Sequence, residues 1–267
     1  MYKDVVQNAL QQWYLMKQLT RREIVGRYRG SWLGLAWSLF HPLLMLSVYT
    51  FVFSIVFRTR WDMGEDESRV EFAIVLFVGL IVHGLFAECA NRSCDLISAH
   101  THFVKKVRFP LVILPLVVIG SAIFHAAVSL LVLFAAMVLS DVTLHSTIFY
   151  LPLILFPLLL IIMGLSWFLA ATAVFVRDLG QVVPIATSML LFLSPIFFPL
   201  SAVPPDYQAW IMLNPLTFVI EQARGVIIWG VSPDWLGLLL FDLAGLVGAG
   251  LGFWWFQRCR KGFADVL

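Results

Sequence analysis

Charge is what this sequence has least of. Only 13% of its 267 residues are Asp, Glu, Lys or Arg, while 61% are hydrophobic, against about 25% charged residues in ordinary soluble chains. So much apolar surface does not fit inside one soluble core, and the composition predicts an integral membrane protein. The net charge of +2 gives no electrostatic footprint for nucleic acid. Cysteine is scarce too: Cys89, Cys94 and Cys259 are odd in number and lack CxxC or metal-ligand spacing, so neither a disulfide framework nor a metal site is expected. No GxxxxGK followed by Ser or Thr occurs, so no cofactor is expected on this chain; if ATP drives its work, ATP and Mg belong to another chain. The first 30 residues lack the apolar core and cleavage site of a secretory signal, and the N-terminus is expected to stay in the mature chain.

What the sequence does have is long apolar runs. A bilayer core about 30 Å thick takes roughly 20 helical residues to cross. Six segments meet that length: Leu33–Phe57, Phe72–Asn91, Leu111–Leu139, Ile148–Val176, Val182–Leu200 and Trp235–Phe256. A seventh stretch, Trp210–Gly230, is broken by Asn214-Pro215 and carries Glu221 and Arg224. It reads as two re-entrant half-helices over about 207–230, because a charge pair and a helix break at mid-bilayer need protein or water around them. The expected fold is all-α, in three parts: a cytoplasmic interfacial helix and basic segment (1–31), a transmembrane domain (32–257) and a short tail (258–267).

Loop charges orient the chain. Six spans put fourteen of the eighteen Lys and Arg residues on one side, whereas Arg58, Arg60, Arg69 and Arg224 fall on the other beside the acidic loop "RTRWDMGEDESRVE". Positive-inside bias then places both termini in the cytoplasm. Ahead of the first span, Val6, Leu10, Trp13 and Met16 recur at helical spacing, predicting an amphipathic helix in the inner headgroup layer. The arginines that follow, Arg21, Arg22, Arg27 and Arg29, admit two readings that are mutually compatible: retention by anionic lipid, or recognition of a pyrophosphate headgroup by guanidinium forks.

Ionisable residues at membrane depth are few. His83, Glu88, His125 and Asp242 are the candidates; Glu88 and Asp242 show no evident partner, and His125 reads as a histidine hydrogen-bonded between helices. Aromatics are abundant. His41, Met45, Tyr49, Phe53 and Phe57 repeat every fourth residue of the first span, with Trp37 one turn earlier, and Phe192, Phe197 and Phe198 gather at the end of the fifth. Such faces serve either as bulk toward lipid or as a lining on which sugar rings stack.

Taken together, "RREIVGRYRGSWLGLAWSLFHPLLMLSVYTFVFSIVF", "KKVRFPLVILPL", "FVRDLGQVVP", "SPIFFPLSAVPP" and "NPLTFVIEQAR" resemble the permease subunit of ABC-2 type polysaccharide exporters, in the branch that exports O-antigen and related lipid-linked glycans. The chain departs from that pattern at His41-Pro42, where Asn is expected before Pro. The resemblance implies a homodimer in the bacterial inner membrane, two separate ABC ATPase subunits, and an undecaprenyl-pyrophosphate-linked polysaccharide as substrate. It implies a lipid entrance at Arg27, Tyr28 and Arg29, and a channel lined by Trp37, His41, Tyr49, Phe53, Phe197 and Phe198. ATPase coupling falls to Phe103, Lys105, Lys106, Arg108, Arg177 and Asp178, and an outer gate to Asn214, Pro215, Glu221 and Arg224. Export of teichoic acid, or of a small molecule or lipid, would share this architecture. A membrane-embedded transferase would need a catalytic cluster, for which only Glu65, Asp66 and Glu67 are dense enough.

Overall fold

A computed structural model describes residues 2–52, 69–106 and 109–267. Helices are the only regular structure among them, in the order α1 (Tyr2–Arg27), α2 (Trp37–Tyr49), α3 (Arg69–Asp95), α4 (Thr101–Lys106), α5 (Ile113–Leu139), α6 (Leu151–Thr172), α7 (Leu179–Leu193), α8 (Pro205–Met212), α9 (Pro215–Ile227), α10 (Trp235–Cys259) and α11 (Phe263–Val266). Within bilayers this is what backbone chemistry demands, since a helix satisfies its own N–H and C=O groups where no water can.

Five stretches among the described residues are long and apolar enough to cross a membrane: Gly34–Val52, Glu71–Asp95, Ile113–Leu139, Ser146–Thr172 and Trp235–Val266. They correspond to five of the six expected spans. The sixth, expected over Val182–Leu200, is shorter as a helix. α7 has 15 residues, about 22 Å at 1.5 Å per residue, and stops where Ser194 turns extended (φ −97°, ψ 151°). Pro195 follows, and a residue before proline is pushed out of the helical region.

The core is organised on α3. In its most apolar window 78% of residues are buried, against 11% for the first span. α3 packs on α5, α6, α7 and α9, and Ile74, Phe77, Val78 and Leu85 join Ile154, Leu158 and Ile220 in the main apolar cluster. Outside it, α6 and α10 form the tightest helix pair. A Cβ at Gly252 would collide with the carbonyl of Gly164, and one at Gly164 with the carbonyl of Gly248. Small residues let membrane helices meet backbone to backbone, where packing replaces the missing hydrophobic drive.

The break expected at Asn214-Pro215 is present. Asn214 caps α9 by accepting from the Leu216 amide (3.0 Å), and its Nδ2 donates to Ser194 Oγ (2.8 Å). The two short helices differ sharply: α8 buries no residue, whereas α9 buries eight, Arg224 among them. Arg224 is fully buried. Its Nε donates to Val75 O (3.1 Å) of α3, its Nη1 to Pro195 O (2.5 Å) and Glu221 Oε1 (2.9 Å), and its Nη2 to Ile196 O (3.0 Å). One guanidinium therefore satisfies carbonyls of the non-helical segment after α7, at Pro195 and Ile196, and ties that segment to α3.

Two outcomes follow from this packing. Arg224→Ala strands several carbonyls and its half-buried partner Glu221, so it should cost about 3 kcal/mol, read as loss of folded protein in a thermal melt of the detergent-extracted chain. Gly252→Val should cost roughly 1–3 kcal/mol by overpacking, whereas Gly250→Val, with nothing within 4 Å of its Cβ, should melt close to the parent.

Candidate functional site

α1 runs its full length before ending at Arg27, and a short elbow carries the chain into α2. Gly30 (φ +88°) and Gly34 (φ +51°) both sit in the left-handed region, which costs glycine little and other residues more. Trp32, between them, is 96% exposed. The elbow lays the C-terminal end of α1 against α5, where Thr20 touches the Cβ position of Gly120, and sends α2 across α3 and α5.

Between these helices lies a half-open cavity of about 600 Å³. Five sequence-predicted residues line it together: Arg27 and Tyr28 from the entrance set, and Trp37, His41 and Tyr49 from the aromatic set. Met45 of the same stripe joins them, as do His83, Glu88 and His125. Period-four spacing is what brings His41, Met45 and Tyr49 to one side of α2. Tyr49 also meets the ring of Phe197 at 6.4 Å, and Phe197 stacks on Phe192 at 5.6 Å.

Polar chemistry gathers at one end. Arg27 Nη2 donates to Glu88 Oε1 at 2.7 Å, and Arg27 Nη1 lies 2.9 Å from His125 Nδ1. Tyr28 Oη is 3.1 Å from His125 Nε2. Glu88 also accepts from Arg92 Nη1 at 3.2 Å and lies 3.3 Å from His125 Nδ1, while Arg92 Nη2 donates to Glu23 of α1. Glu88, expected to lack a partner, is thus the hub of the cluster. His125 does bridge helices, as expected. The opposite end is apolar and aromatic, so the cavity is graded from charge to rings along its length.

The other predicted positions separate from this cavity. Arg29 is exposed beyond the end of α1, and Phe198 is half-buried without lining it. Phe103 stacks on Phe109 at 4.4 Å, pinning α4 to the start of α5. Arg177 and Asp178 are exposed in the turn between α6 and α7. Asn214, Pro215, Glu221 and Arg224 belong to the α8–α9 break. Phe53 and Arg108 lie outside the described residues, as do the side chains of Lys105 and Lys106 and the acidic loop with Glu65, Asp66 and Glu67. Asp242 Oδ1 is buried and meets no hydrogen-bond partner among the described residues. No group of three or more His, Cys, Asp or Glu among them is placed to hold a metal ion.

Sequence reasoning undervalued Glu88 and His83. His83 Nε2 lies 2.9 Å from Thr187 O of α7, and Thr187 Oγ1 donates to Asn91 Oδ1 at 3.1 Å. The available signal was their depth in an apolar helix, where an ionisable side chain needs company; which company requires the fold.

The chain is also similar to known proteins over most of its length. The chain is 28% identical over 257 residues to the O-antigen export system permease protein RfbA of Myxococcus xanthus, covering 95% of each chain. It is 25% identical to the protein of that name from Klebsiella pneumoniae, again with 95% of each covered. With the polysialic acid transport protein KpsM of Escherichia coli it shares 28% identity over 84% of this chain and 86% of the other. The family model for the membrane part of ABC-2 type transporters matches residues 14–228, a segment that contains α2 to α9 and every residue of the graded cavity, and this chain therefore belongs to the ABC-2 type transporter family.

Proposed function

We propose that this chain is the transmembrane permease subunit of an ATP-driven exporter that moves an undecaprenyl-pyrophosphate-linked polysaccharide, of O-antigen type, across the bacterial inner membrane. Similarity to O-antigen and polysialic acid export proteins over most of both chains supports the substrate class. The graded cavity carries the reading: guanidinium and imidazole groups at one end suit a phosphorylated headgroup, and the face of Trp37, His41 and Tyr49 suits sugar rings.

In this reading the chain crosses the membrane six times with both termini in the cytoplasm. α7 and the extended segment after it form the fifth crossing, α8 and α9 dip in from the outer side, and residues 1–31 lie along the inner surface. Two copies enclose the path. Two ATPase subunits, which bind ATP and Mg, dock below on the segment from Asp95 to Arg108 and on the turn at Arg177-Asp178. Phe103, stacked on Phe109, would pass their motion to α5 as a rigid-body displacement. This chain contributes no catalysis of its own.

Two measurements test the reading. Arg27→Ala removes a donor from the cavity and should lower export about tenfold, with lipid-linked glycan accumulating in the inner leaflet while ATPase assembly stays normal. Arg29→Ala, outside the cavity, should change it far less; equal effects would reduce both arginines to topological anchors. Lys105→Glu combined with Lys106→Glu should lower glycan-stimulated ATP hydrolysis severalfold without affecting membrane insertion, and unchanged export in that double variant would remove α4 from the coupling surface.

A further inference from the structure

Two guanidiniums and one imidazole converge on Glu88, and they come from three different helices: Arg27 from α1, Arg92 from α3 itself and His125 from α5. Exposure is uneven across the cluster. The side chain of Arg27 is 38% exposed, those of Glu88 and His125 only 19% and 15%. Arg27 is thus the more exposed of the two guanidiniums, and Glu88 stands behind it.

The charges of the four acidic and basic members cancel: Arg27 and Arg92 against Glu23 and Glu88. A phosphorylated headgroup entering the cavity therefore meets no net positive charge. It would bind by exchange, taking both arms of the Arg27 fork, Nη2 from Glu88 and Nη1 from His125. The exchange is cheap for two reasons. An ion pair open to water on one side contributes little, and a phosphate accepts the same planar fork with more oxygens. Glu88 is not left uncompensated, since Arg92 and His125 still face it, and an unpaired buried carboxylate would otherwise be costly.

We propose that Glu88 is a resident counter-anion, holding Arg27 in place of the phosphate of a lipid-linked substrate and reclaiming it on release. This inference rests on the entrance reading given above and deepens it. Headgroup capture then has a mechanical result, because the Arg27–Glu88 contact is also a tie between α1 and α3. Breaking it leaves Glu23–Arg92 as the remaining ion pair between those helices among the described residues, so capture loosens the C-terminal end of α1. Glu88 thereby sets how long the headgroup stays: a site in which Arg27 had no carboxylate to return to would bind a diphosphate and keep it. Glu88 is a positioning residue, acting through Arg27.

The test is direct binding of farnesyl diphosphate, a short polyprenyl diphosphate, to the full chain in lipid nanodiscs, with farnesol as the uncharged control. The parent should bind the diphosphate and not the alcohol. Glu88→Gln should bind it about tenfold tighter and release it correspondingly more slowly, while Arg27→Ala should lose binding. Glu88→Asp, which keeps the charge beside Arg92 but withdraws from Arg27, should tighten binding about threefold and serves if the amide variant does not accumulate. Unchanged or weaker binding in both Glu88 variants, with Arg27→Ala still defective, overturns the counter-anion role and leaves the entrance reading standing. Arg27→Ala binding like the parent overturns both.

Discussion

A guanidinium sealed away from water holds this membrane domain together. Proline at 195 ends α7 inside the apolar body of the protein, and the carbonyls of Pro195 and Ile196 have no helical partner there. Arg224 answers both and reaches Val75 of α3 as well. Charge is expensive at this depth, so its presence shows how much the broken backbone needs a multidentate donor. Glu221, one turn earlier on α9, offsets the charge. Remove this contact and α9 keeps only its apolar packing on α3 and α6, while the segment after α7 loses its polar anchor.

That anchoring reaches the cavity because both features share one helix. Val75 lies near the start of α3, His83 near its middle and Glu88 and Arg92 near its end, about 25 Å apart at 1.5 Å per residue. Each is tied to a different neighbour: Val75 to α9, His83 to the backbone of α7, Glu88 to α1 and α5. α3 thus carries the breaks of one end and the ion cluster of the other on a single rigid rod. Its unusual burial for a lipid-immersed helix follows from having partners on every side, and buried polar groups such as Ser93 and His83 are tolerated because each meets a carbonyl.

Much of this architecture is legible in the sequence. Apolar length is a strong signal, and the bounds of α5 and α10 fall within a few residues of those predicted from hydropathy. The Asn214-Pro215 break was readable because proline acts locally. Within the described residues the period-four stripe of α2 forms one face, as His41, Met45 and Tyr49 share one cavity, while Phe53 and Phe57 lie outside those residues. What resisted reading was long-range: 61 residues separate Glu88 from Arg27, and 37 separate it from His125. Nothing in the spacing of such residues along the chain reports that three helices bring them together. The length of α7 was misjudged for a different reason, since hydropathy continues smoothly through "SPIFFPL" while the backbone does not.

The glycine contacts between α6 and α10 carry a mechanical corollary. Where two backbones touch with no side chains between them, neither helix can slide or roll without steric collision, so the pair behaves as one stiff spar. Any displacement imposed on the bundle must then be absorbed by seams that are padded rather than locked. α2, thinly buried beyond its glycine elbow, meets its neighbours across seams of that padded kind.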